Sequence, residues 1–131
     1  TATYGTDGSF VSVKNREVRP SNVETIEGYA AANSWVGGWI NVYFFFGIPA
    51  DYRVVSVDYT DYALVYSCTS FGPYRFSEAS WVLGRTALAE ADAAYTTLMT
   101  KVDALYKKLL PDFDFANRMQ NTKQGAGCSY A

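Results

Sequence analysis

Val57-Asp58-Tyr59-Thr60-Asp61-Tyr62-Ala63-Leu64-Val65-Tyr66-Ser67-Cys68 is the stretch on which the fold turns. Tyr62–Cys68 is rich in Val and Tyr, residue types that suit a pleated, half-buried surface. The segment before it, Tyr52–Asp58, has the same character. Two such runs with a short polar connection make a pair of antiparallel strands. Asp58 suits that connection, because a short carboxylate bonds to backbone N–H groups a few residues on. Asp58 and Asp61 lie around a strand connection rather than across a cleft, so they do not form an acid–base pair.

Working outward, the same pattern recurs. Thr1–Gly5 and Phe10–Asn15 flank the hairpin signal Thr6-Asp7-Gly8. Arg19-Pro20-Ser21-Asn22 marks a turn, and Val23–Ala30 alternates again. Trp39–Phe46 is an aromatic strand ended by Gly47-Ile48-Pro49. Downstream, Gly72-Pro73 turns the chain and Ser77–Arg85 completes seven strands. The period then changes to that of a helix over about 87–110: Ala91, Tyr95, Leu98, Val102, Leu105 and Leu109 recur three or four residues apart. Thr86 is the expected N-cap and Pro111 the stop, with a mostly irregular tail over 111–131. Evenly spaced antiparallel strands followed by one helix predict an all-β, up-and-down barrel with the helix packed outside, and leave a sandwich plus helix as the alternative.

Composition narrows the function. The 131 residues suffice for one domain, taken here as 1–131, and 49% hydrophobic with 18% charged residues makes it globular. A net charge of −2 argues against nucleic acid as a partner. No apolar run is long enough for a membrane span. The absence of histidine excludes His-dependent triads and most zinc sites. Asp112 and Asp114 lack the surrounding oxygen ligands of a cation loop, so no metal is expected. Eleven tyrosines and 17% aromatic residues are the remaining signal.

Asp58-Tyr59-Thr60-Asp61-Tyr62-Ala63-Leu64-Val65-Tyr66-Ser67-Cys68 resembles the second structural motif of the lipocalins, and Trp81-Val82-Leu83-Gly84-Arg85-Thr86 resembles the third. The resemblance covers essentially the whole chain. It is closest to the apolipoprotein D and bilin-binding branch and touches the crustacyanin carotenoproteins. It implies an eight-stranded barrel of which this chain carries strands B to H. The Gly-x-Trp motif that precedes strand A is absent, so roughly 35–45 residues are expected to precede Thr1, since seven strands leave a barrel unclosed. They would be cleaved, unobserved or a separate chain. A natural seven-stranded variant is the alternative. The family pattern also implies that Cys68 and Cys128 are half-cystines bonded to that upstream segment; one Cys68–Cys128 bridge or two free thiols are the alternatives.

The resemblance further implies a secreted binding protein, not an enzyme, with a small hydrophobic ligand inside the barrel. Inward parity, carried from the family pattern, selects Tyr4, Val13 and Asn15, with Arg19 at the mouth. It selects Trp39, Asn41, Tyr43 and Phe45 on the aromatic strand, and Tyr52, Val54 and Ser56 on the next. Ala63 and Val65 follow, then Ala79 and Trp81, while Tyr62, Leu64 and Tyr66 face the helix. Flat aromatic walls favour a conjugated pigment, a bilin such as biliverdin or a carotenoid. A bilin's propionates would pair with Arg19, Arg53 or Lys14. A fatty acid, steroid or retinoid is the colourless alternative. A barrel filled by its own side chains is another: Phe44 and Phe46, of outward parity, would then form an interaction or homo-oligomer surface.

Overall fold

Among the described residues the alternation along the chain produces seven strands. In the computed structural model they are β1 (Ala2–Asp7), β2 (Phe10–Arg19), β3 (Asn22–Ala32), β4 (Trp39–Tyr43), β5 (Pro49–Val57), β6 (Tyr62–Ser70) and β7 (Phe76–Gly84). Two helices follow, α1 (Ala93–Leu109) and the single turn α2 (Phe115–Arg118). The structure describes residues 2–7, 10–19, 21–32, 37–44, 49–70, 72–74 and 76–122, and the side chains of 10–17, 21–32, 37–44, 49–70, 72–73 and 77–122. The strands form one antiparallel sheet in chain order, β1 to β7, curled into a half-barrel.

Each face of the sheet builds its own core, because successive side chains alternate. On the convex face Tyr62 and Leu64 of β6 pack with Val102 and Tyr106 of α1 and with Phe113. Leu64 is 1% exposed and Val102 fully buried, so each contributes about 1.5–3 kcal/mol by leaving water. Polar groups tie the layers together: Ser80 Oγ donates to Val65 O at 2.6 Å. That leaves Ser80 Oγ to accept from the Tyr106 hydroxyl. Burial pushes the Tyr106 phenol up, which keeps the proton in place for this bond.

Helix α1 begins later than the sequence pattern predicts. Thr86 is not the cap; Asp92 is, and its carboxylate accepts from the Ala89 amide at 2.8 Å, which holds the approach in a turn. Residues 85–92 are spent crossing from the sheet edge to the helix layer. Tyr106 takes the buried place expected of Leu109, which is 41% exposed.

The β5–β6 connection forms as its sequence predicts. Asp58 Oδ1 accepts from the amides of Thr60, Asp61 and Tyr62 at 3.2, 2.8 and 3.0 Å. Tyr59 takes a positive φ of 66° at the tip. The Tyr62 and Asp61 amides, chiefly, with Lys101 and Thr60, outweigh a small desolvation and lower the Asp58 carboxyl to about 2.

Candidate ligand-binding cleft

The concave face of the sheet carries an apolar cleft of about 150 Å³. Its walls are Val11, Val13 and Asn15 of β2, Ala30 and Ala32 of β3, Ile40, Val42 and Phe44 of and after β4, and Tyr52 of β5. Val13, Ala30 and Val42 are its packed floor. The cleft has room because β3 offers only small groups there. At Gly28, directly opposite Val13, a Cβ would meet Tyr43 O at 2.2 Å and the Phe44 ring at 2.9 Å. Glycine is what lets Phe44 lie across that strand.

Further along the same face, the register sets Val54, Val65 and Trp81 side by side across β5, β6 and β7. The Tyr52 and Trp81 rings stack beside this row, with centroids 6.1 Å apart and planes 21° apart. Trp81 is 43% exposed and Val65 only 1%. The pair is therefore an open aromatic wall on a packed base. Ala63 and Ala79 share this face by register, opposite Leu83 and Ser67. Asn15 supplies the polar element: its Oδ1 is buried in the cleft with no hydrogen-bond partner.

The structure thus brings Val13, Asn15 and Tyr52 to the cleft, with Val54, Ala63, Val65, Ala79 and Trp81 on the same face. Tyr4 pairs with Val13 in the backbone register, and Arg19 pairs with Asn22 at the hairpin end; the side chains of both lie outside the described residues. Phe45, Phe46 and Cys128 also lie outside them. Cys68 is half-buried and carries no disulfide among the described residues.

Two expectations about parity are corrected. On β4 the cleft takes Ile40, Val42 and Phe44, so Trp39, Asn41 and Tyr43 belong to the convex face. There Tyr43 stacks on Tyr29 at 4.8 Å, and Arg53 lies 4.6 Å over the Trp39 ring. The even residues of this strand are wholly apolar, whereas Asn41 and Tyr43 each keep a polar group, which suits the wet side; the Trp39 Nε1 is buried without a partner. Phe44 is consequently a wall of the cleft and not an outer contact. The exposed aromatic set on the convex face is Phe10 and Tyr29 instead, 50% and 44% exposed and in edge contact. On β5 a bulge between Val54 and Ser56 shifts the register, so Ser56 pairs with Leu64 and its hydroxyl lies 3.4 Å from that of Tyr62 on the helix side. One extra residue reverses the alternation beyond it.

Two of the three cations expected to pair with a propionate lie elsewhere. Lys14 pairs with Glu27 at 3.1 Å and Arg53 with Asp51 at 3.0 Å, all four on the convex face. Among the described residues, no group of acidic, cysteine or histidine side chains is set to hold a metal, and no helix is long and apolar enough to cross a membrane.

An antiparallel sheet curled in chain order, a helix against its convex face and an apolar concave cleft define a lipocalin-type protein. The chain matches the Triabin family model over residues 4–98 and belongs to that family. It is 38% identical over 78 residues to apolipoprotein D of Rattus norvegicus and 42% identical over the same length to that of Cavia porcellus. Each match covers 57% of this chain and only 41% of the relative. Among solved structures, lobster apocrustacyanin A1 superposes with a TM-score of 0.74 at 23% identity, over 97% of this chain and 67% of that one. Insecticyanin from the tobacco hornworm Manduca sexta gives 0.75 at 23% identity, over 99% and 70%. These two likenesses establish the fold.

Proposed function

We propose that this chain is a secreted carrier of a small hydrophobic ligand held on the concave face, most consistent with a flat conjugated pigment used for coloration or transport, and that it catalyses nothing. The observation that carries the proposal is the Tyr52–Trp81 wall beside the apolar cleft: two parallel rings over a packed base, with one of them widely open. Such rings offer stacking area to a conjugated system at little entropic cost. The resemblance to bilin-binding and carotenoid-binding lipocalins supports the same class. The test is an absorption spectrum of the protein purified from its source. A visible band lost on denaturation is the expected result. Tyrosine and tryptophan absorption alone would replace the pigment with a colourless lipid such as a fatty acid, steroid or retinoid.

The exposed Phe10–Tyr29 contact with Tyr43 stacked behind it supports a second reading, an interaction surface on the convex face. Native mass spectrometry separates the two: a ligand-sized excess of mass supports the carrier, and a bare oligomer supports the interaction protein.

A further inference from the structure

Resting on the carrier reading, we propose that the ligand is electrically neutral and ends in a hydroxyl group that donates to Asn15 Oδ1. The first observation is where the charges lie. Alternation in register puts Lys14, Arg16, Glu27, Asp51, Arg53 and Glu78 on the convex face. The concave positions of β4 to β7 carry no acid or cation among the described residues. On β2 and β3 the charged side chains described at concave positions are Glu17 and Glu24, directly opposite each other at the hairpin end. Among the described residues the concave face therefore offers no cation to a carboxylate ligand, and an unpaired anion in an apolar cleft is strongly disfavoured.

The second observation is Asn15 itself. Its Oδ1 is a buried acceptor with no partner, on a wall otherwise built from hydrocarbon and aromatic groups. Buried acceptors left unsatisfied are costly, so a donor from the ligand gains what the empty cleft forgoes. A hydroxyl supplies that donor without charge. A ketone or aldehyde sets two acceptors against each other, and a carboxylate adds the uncompensated charge. A site built to hydrogen-bond a hydroxyl discriminates against analogues that lack it.

The experiment uses retinol, retinal and retinoic acid, which share one skeleton and differ only at the polar end. Binding to the full chain at pH 7.5 is followed by tryptophan quenching. Retinol is expected to bind about tenfold more tightly than retinal, with retinoic acid weakest. In Asn15→Leu the retinol-to-retinal ratio should fall to about one, with Asn15→Gln restoring part of it. The wild-type ranking needs no variant, so a misfolded substitution leaves the test intact. Retinoic acid binding as tightly as retinol, or a ratio unchanged in Asn15→Leu, overturns the proposal while the carrier reading stands. Failure of all three to bind overturns the proposal as well, and the carrier reading is then decided by the absorption spectrum.

Discussion

Tyr52 and Trp81 stack across the concave face although β6 runs between the strands that carry them, and Val65 of β6, opposite Trp81 in the register, is buried. The pair is therefore held by the curl of the sheet and not by neighbouring strands. Because Trp81 is 43% exposed, its removal costs the fold little and the ligand much. Trp81→Ala should weaken binding of a conjugated ligand about tenfold, near 1.4 kcal/mol, with a melting temperature close to that of the parent. Titration by fluorescence, paired with a thermal melt, checks both halves of the expectation.

Leu64 is the opposite case. It is 1% exposed between the sheet and α1, against Val102 and Tyr106. Leu64→Ala should cost about 2–5 kcal/mol through lost burial and a residual cavity. A urea unfolding series measures this as a lower midpoint with an unchanged slope.

Asp58 predicts a pH dependence with a definite sign. Its folded carboxyl is lowered to about 2 by the Tyr62 and Asp61 amides and by Lys101, from an ordinary value of 3.8. Its stabilising effect is complete above the ordinary value and is lost as pH falls through the folded one. The gap in urea midpoint between the parent and Asp58→Ala should hold at neutral pH and shrink between about pH 4 and 2. Asp58→Asn keeps an acceptor for the three amides, so it should fall between the two with little change over that window.

Arg118 fixes the C-terminal turn to the sheet. It pairs with the Glu78 carboxylate, donates to Glu78 O at 3.0 Å and covers the Phe113 ring at 4.6 Å. Partial burial raises the Glu78 carboxyl, but hydrogen bonds from Tyr66 and Arg118 and the charge of Arg118 bring it below its usual value. Arg118 is 41% exposed, so the pair adds no more than about 1 kcal/mol. Arg118→Ala should leave the sheet intact and speed cleavage after residue 110, read by limited proteolysis.

The fold was legible because strand alternation and turn chemistry agree along the chain. Asp58 places the turn and the Val- and Tyr-rich run places the strand, while the helix-facing side of Tyr62, Leu64 and Tyr66 came from the family resemblance. The site was harder, for physical reasons. β4 carries large hydrophobic side chains on both parities, so hydrophobic period alone does not tell its faces apart; the polar groups of Asn41 and Tyr43 carry the distinction, and ring size points the wrong way. Ala30 and Ala32 matter by being small, a role that no search for ligand-binding groups finds. Ser56 follows its strand's alternation and is displaced by a bulge that leaves no mark in composition. The start of α1 depended on where a carboxylate three residues past Ala89 would settle.

The bulge at Val55 gives β5 two phases. Before it, even-numbered residues face the cleft; beyond it, Val57 stands on the cleft side, opposite Ala63. A systematic scan of this strand for ligand contacts should therefore show hits at positions 52 and 54, a skipped beat, and the next at 57. Removing Val55 would restore regular pairing, with Val54, Ser56 and Val57 opposite Val65, Leu64 and Ala63, so every later side chain of the strand would keep the chamber it already occupies.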